Sequence, residues 1–286
     1  MSNRKKMKRY TLEEIGEGLK KKRFPMEGMT SLGSARFHFR EPDNCLGVAL
    51  HAGSRVRDDL MEVMEVTAGE RFREEDPYTD LFIRDFPMQV VALDSRFEYD
   101  LNREREYCIY AHDREQWGLR VWKRPLTAEE REVTLIKHRE FHQLLDTVIG
   151  HILEQHDLGI LFDLHSYCYR REREAEWWVD ERPEINLGTR SVDREHFARQ
   201  IDAFLEEISE NPVEGHRLRV AENAVFPGGY LTRKYAESHP KNVLVLAIEY
   251  KKIFMDERSG ELSGEILSLL TGDLVRVKDH IKSLTA

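Results

Sequence analysis

Three cysteines in 286 residues, Cys45, Cys108 and Cys168, are too few and too scattered for a disulfide framework, and no two form a CxxC pair. That excludes a thiolate zinc site and fits free thiols in a reducing compartment. Long hydrophobic runs are also missing: no apolar stretch approaches the ~20 residues that a membrane span requires. The basic start is followed by YTLEEIGEGL and not by the apolar core of a secretion signal. Positive charge is outweighed, with 44 Lys and Arg against 53 Asp and Glu and a net charge of −9. Such a balance argues against nucleic acid or an anionic membrane as the main partner. The basic N-terminal stretch NRKKMKRYTLEEIGEGLKKKRF reads as a solvated tail and helix face. There is no internal repeat, low-complexity tract or Pro/Gly/Ser-rich linker, so one domain over 31–286 is expected, behind a basic extension with a helix over 1–30. A cytoplasmic location is the matching expectation.

What the chain does have is a set of short runs rich in Val, Ile and Leu: CLGVAL (45–50), QVVALD (89–94), EYCIYA (106–111), GILFDL (159–164) and NVLVLAIEY (242–250). Runs of this kind predict strands buried on both faces. Between them, residues 127–156 keep an apolar stripe at Ile136, Phe141, Leu144, Leu145, Val148 and Ile152, opened by the capping box Thr127/Glu130. Further helices are predicted near 56–68, 191–209 and 261–282. Alternation of strands and helices predicts an α/β sheet with helices on both faces. Residues 170–190 read as a long loop, a class of segment that is disproportionately functional.

Two strands end in a histidine: CLGVAL runs into His51, and GILFDL into His165. A third, NVLVLAIE, ends in Glu249. Ligand sites of open α/β sheets form at the carboxyl ends of strands, and imidazole is a common zinc ligand. A third ligand is sought in ERFREEDPYTD, which offers Glu74, Glu75, Asp76 and Asp80; spacing alone does not choose among them. The pair His138 and His142 in KHREFHQ mimics the HExxH zinc motif, but Arg139 stands where its glutamate belongs, so these are read as packing or surface histidines. DSRFEYDLNR places Asn102 and Arg103 in a turn where a guanidinium can grip a carboxylate. FPGGYLTR places Gly228 and Gly229 ahead of Tyr230, a tight turn or a close backbone approach.

In order along residues 45–260, these segments resemble one family, the N-formylglutamate amidohydrolases, relatives of the zinc carboxypeptidases and aspartoacylases. HAG (51–53), DPYTD (76–80), SRFEYDLNR, LFDLHS, INLGTR (185–190), NAVFPGGYLTR and AIEYKKIFMDE (247–257) each match a family motif. The resemblance implies a carboxypeptidase-like mixed sheet flanked by helices and one zinc per chain, held by His51, His165 and an acidic residue. Asp76 is the expected third ligand, with Glu75 and Asp80 as alternatives; Ser54 stands where related carboxypeptidases carry their glutamate. It further implies Glu249 as general base and acid, and Arg96 to polarise the scissile carbonyl. Asn102 and Arg103 are expected to hold the substrate carboxylate, with Gly228, Gly229 and Tyr230 lining the substrate site.

The activity implied is zinc-assisted hydrolysis of the amide of a small acidic N-acyl amino acid, foremost N-formyl-L-glutamate to formate and L-glutamate. Three departures bear on the pocket. Pro77 replaces a family tryptophan, VFP precedes the paired glycines, and Lys251 and Lys252 stand near a family arginine. They keep open a deacylase or carboxypeptidase for another N-acyl amino acid or peptide, and a non-catalytic binding protein on the same fold.

Overall fold

The computed structural model describes residues 7–170 and 176–285. The first six residues of the basic start, and 171–175 of the long loop, lie outside the described residues.

The chain opens with β1 (Arg9–Tyr10), α1 (Leu12–Lys20), β2 (Met26–Thr30), β3 (Ala35–Phe39) and β4 (Cys45–Ala49). Three short helices follow, α2 (Asp58–Met61), α3 (Ala68–Glu74) and α4 (Thr79–Phe82), then β5 (Met88–Ala92). The hairpin β6 (Glu115–Gln116) and β7 (Leu119–Arg120) precedes the long helix α5 (Ala128–Leu153). The remainder is β8 (Gly159–Tyr167), β9 (Ile185–Gly188), α6 (Ala198–Glu207), β10 (Val220–Glu222), α7 (Tyr230–Ser238), β11 (Val243–Lys251) and α8 (Gly264–Ser283). Nine strands form one sheet in the order β1-β2-β3-β5-β4-β8-β11-β9-β10. It is mixed: β5, β4, β8 and β11 run parallel, while β3 and β9 lie antiparallel to their neighbours in that central group. No helix among the described residues is long and apolar enough to cross a membrane.

Strand alternation splits the core into two layers. Leu161 and Val245 point to one face, where they pack with Leu19 of α1, Phe141 and Leu145 of α5, and Leu231 and Tyr235 of α7. Ile160, Phe162, Leu244 and Leu246 point to the other, against Phe82 of α4, Phe204 of α6 and Leu274 of α8. The α5 helix begins as its sequence foretells, with Thr127 and Glu130 exchanging capping bonds.

Two expectations fail for tertiary reasons. No strand forms over 106–111; the apolar run is an irregular segment whose Cys108, Ile109 and Tyr110 are buried beside the site described below. The helix expected over 56–68 is broken into α2 and α3, because Met64 leaves helical geometry to bridge Trp122 and Glu65 N–H donates to Val121 O. The predicted helix at 191–209 is regular only from Ala198. Residues 9–30 pair into the sheet through β1 and β2, with Ile15 and Leu19 of α1 in the core.

Candidate active site

The parallel core brings the predicted histidines together. In register, β4 and β8 pair Val48 with Asp163, and β8 and β11 pair His165 with Glu249. Odd-numbered residues of β8 share the face of Leu161, so Asp163 and His165 stand on that face, two residues apart. Glu249 occupies the equivalent face of β11. His51 lies just beyond β4, and its carbonyl accepts from Asp76 N–H at 3.0 Å, which hooks the α3–α4 turn onto the strand end. Tyr78, at φ 68°, makes the left-handed step that starts α4.

His51, Asp76 and His165 are all buried, and their ligand atoms lie within 4.8 Å of one another. Asp76 Oδ2 is 3.2 Å from Nδ1 of His51 and 3.2 Å from Nδ1 of His165. Ser166 Oγ–H donates to the other oxygen of Asp76 at 3.4 Å. On the far side of each imidazole stands a second carboxylate. His51 Nε2 is 2.8 Å from Asp100 Oδ1, and His165 Nε2 is 3.1 Å from Asp163 Oδ1. Each imidazole therefore has a carboxylate at both nitrogens, and a neutral ring has one N–H, so if each Nε2 donates outward each Nδ1 turns a lone pair toward Asp76. Lone-pair atoms facing one another at 3.2 Å require a positive charge between them, either a proton or a metal ion.

The residues fit a metal ion. Two imidazole nitrogens and one carboxylate oxygen are the donor set of open hydrolytic zinc sites. Ligands held ~2.0–2.1 Å from a tetrahedral ion are separated by about 3.3–3.4 Å, close to the two 3.2 Å edges seen. Carboxylates behind the histidines are the usual outer partners of such ligands. The charge balance agrees: Asp76, Asp100, Asp163 and Glu249 cluster around two imidazoles and Arg96. Asp163 is fully buried, with the His165 imidazole 3.1 Å away as its ion-pair partner. Burial alone would raise the Asp76 carboxyl, but His165 and His51 hold it well below the ordinary carboxylate range. Burial likewise opposes charge on His165, yet Asp163 and Asp76 raise its pKa well above the usual value.

The rival carboxylates are turned elsewhere. Glu75 accepts from Ser95 Oγ–H at 2.5 Å, and burial raises its carboxyl. Asp80 is paired with Arg36 at 2.6 Å.

Glu249 stands beside the triad in the wall of a cavity of about 480 Å³, with Ser166 and Lys252 among its neighbours. Burial lifts its carboxyl to about 7, against the opposing charges of His165 and Arg96. Arg96 is anchored by Asp100 Oδ2 at 3.0 Å, and its guanidinium lies 4.8 Å from the Trp117 ring. Asp100 collects further donors, Tyr110 O–H at 2.6 Å and Asn102 N–H at 2.9 Å, and Arg103 Nε at 3.4 Å. Arg103 also donates to Gln116 of the β6–β7 hairpin at 3.1 Å.

The chain is similar over residues 44–255 to the model of the N-formylglutamate amidohydrolase family. It belongs to that family. The crystal structure of the N-formylglutamate amidohydrolase from Ralstonia eutropha JMP134 shares its fold, with a TM-score of 0.69 at 19% identity, covering 88% of this chain and 98% of that one. The gene product Atu2144 from Agrobacterium tumefaciens matches with a TM-score of 0.62 at 17% identity, over 87% and 96% of the two chains. Among curated proteins none matches significantly.

Within this amidohydrolase fold, the residues expected at the substrate do not all face one space. Asn102 and the paired glycines form a packed unit: Asn102 Oδ1 accepts from Leu231 N–H at 3.4 Å, standing in for a cap at the start of α7. A Cβ on Gly229 would lie 2.1 Å from Asn102 Oδ1, and one on Gly188 would lie 2.4 Å from Gly228 N. The PGG turn is thus a place where backbones meet. Tyr230 packs edge-on against His142, with centroids 5.2 Å apart, and His142 in turn against His138 at 4.6 Å. His138 Nε2–H donates to Arg103 O at 3.0 Å, and both histidines of α5 are buried in packing contacts.

Sequence reasoning gave no role to Asp100, Asp163 or Lys252, although Asp100 lies within SRFEYDLNR and Lys252 stands near the position of a family arginine. A period-two reading of FDLH would have put Asp163 on the face of His165. The Lys252 ammonium is buried and donates to Arg73 O at 2.6 Å and Glu75 O at 2.7 Å, the peptide that leads into Asp76.

Proposed function

We propose that the chain hydrolyses the amide bond of an N-acyl amino acid with the help of one divalent cation, zinc by the chemistry of its donors. The reading is carried by the convergence of two imidazole Nδ1 atoms and the Asp76 carboxylate beside Glu249, in a chain of the N-formylglutamate amidohydrolase family. His51, Asp76 and His165 would hold the ion, which when bound supplies polarisation of the scissile carbonyl and acidifies water.

The protein's own groups do the rest. Glu249, with a carboxyl poised at about 7, takes a proton from the attacking water and returns it to the departing amine. Arg96 sits close enough to Asp76 and Glu249 for its charge to act on both, which suits it to stabilise negative charge growing on the carbonyl oxygen. Asp100 holds Arg96 and His51 in one network, so the cation and the imidazole keep a fixed relation. Arg103, on the same carboxylate and more exposed, is suited to orient a substrate α-carboxylate.

N-formyl-L-glutamate is the first compound to test, followed by other N-formyl and N-acetyl amino acids. Free amine should appear with zinc-supplied wild type and not with Glu249→Gln. Equal turnover by the variant would remove Glu249 from the reaction.

A further inference from the structure

The cavity beside Glu249 is walled by Trp117, Tyr167 and Phe226, together with Cys168, Glu74, Arg182 and Lys252. Trp117 and Phe226 are, at 38% and 37% exposure, among the few large apolar side chains left open to solvent. Exposed aromatic groups that converge on one concave space mark a binding surface. Phe226 is supported from below by the Tyr167 ring, 5.5 Å away.

Both cations in this wall are committed. Lys252 gives its ammonium to the carbonyls of Arg73 and Glu75. Arg182 grips Asp180 through Nε at 2.9 Å and Nη2 at 2.8 Å, and donates to Cys168 O and Tyr169 O, each at 3.2 Å. A substrate carboxylate entering here would meet Glu249, while both lining cations already hold protein partners. A formyl group alone leaves most of about 480 Å³ unfilled, which gives room for a large side chain on the amino acid.

We propose that the enzyme selects N-formyl amino acids with an aromatic or large aliphatic side chain over N-formylglutamate, and that Trp117, Tyr167 and Phe226 form the pocket for that side chain. The inference rests on the amidohydrolase reading above.

The test is a panel of N-formyl-L-phenylalanine, -leucine and -glutamate with the full chain and zinc supplied. A kcat/KM for phenylalanine or leucine about tenfold or more above that for glutamate is expected, the usual scale for one pocket contact. Phe226→Arg, a change at an exposed position, should lower the phenylalanine-to-glutamate ratio by about tenfold, with its fold checked by circular dichroism. A wild-type preference for glutamate, or a ratio unmoved in the variant, overturns the inference and leaves the amidohydrolase reading standing. Hydrolysis of none of the three, nor of their N-acetyl counterparts, overturns that reading itself.

Discussion

Lys252→Met is the most informative structural perturbation. The Lys252 ammonium is almost wholly buried and holds the carbonyls of Arg73 and Glu75, so it fixes the backbone one residue before Asp76. Methionine keeps the volume of the stem and removes both donors. Two charge-assisted hydrogen bonds are lost, worth about 1.5–3 kcal/mol each, and two buried carbonyls lose a partner. Relief of the ammonium's own desolvation offsets part of this, leaving a net loss of about 2–4 kcal/mol. At roughly 2–4 °C per kcal/mol for a chain of this size, Tm should fall by about 4–16 °C. Because the tether leads into Asp76, zinc affinity should also fall, by about 10–100-fold, the range typical of lost outer partners. Lys251→Met is the matched control. That ammonium is also buried, but it pairs with Glu184 at 2.7 Å and ties down 177–184 instead. It should destabilise the fold while leaving zinc affinity within about threefold. Calorimetric melting and zinc titration read both quantities. Equal zinc affinity in Lys252→Met and wild type, or an equal loss in the Lys251 variant, would refute the reasoning.

Glu249→Gln should lower kcat by about 10²–10⁴-fold with zinc content unchanged; loss of zinc in that variant would make Glu249 a ligand. Because Glu249 must be ionised to accept a proton, kcat/KM should fall as pH drops through its pKa. Burial sets that limb at about 7, and a bound cation favours the ionised form and moves it lower. A limb above about pH 8 in the zinc-supplied enzyme would contradict this assignment. Asp163→Asn removes the buried carboxylate behind His165 and should weaken zinc binding about 10–100-fold in a calorimetric titration. Unchanged affinity there would mean that His165 is oriented by the strand alone.

The central sheet was legible because four parallel strands are buried on both faces and write themselves as apolar runs. The flanking strands β1, β2, β3, β9 and β10 were not, being two to five residues long and mixing polar with apolar side chains. EYCIYA misled because burial beside Asp100, and not pairing in the sheet, accounts for its apolar residues. Of the candidate site, His51, His165 and Glu249 stood out as polar residues ending apolar strands. Asp76 emerged from an acidic cluster only through resemblance, because its meeting with the histidines depends on a turn hooked to His51 O. Lys252 acts through contacts with residues far away in the chain, which no local pattern records, whereas Asp100 stands in SRFEYDLNR within four residues of Arg96, Asn102 and Arg103 and joins the site through distant His51.

The central claim is that His51, Asp76 and His165 together hold one metal ion. Metal analysis of chelator-free wild type, Asp76→Ala and Glu75→Gln after zinc is offered tests it most directly. The account predicts about one zinc per chain in wild type and in Glu75→Gln, and none in Asp76→Ala. One zinc per chain retained by Asp76→Ala, or none in any of the three, would contradict it.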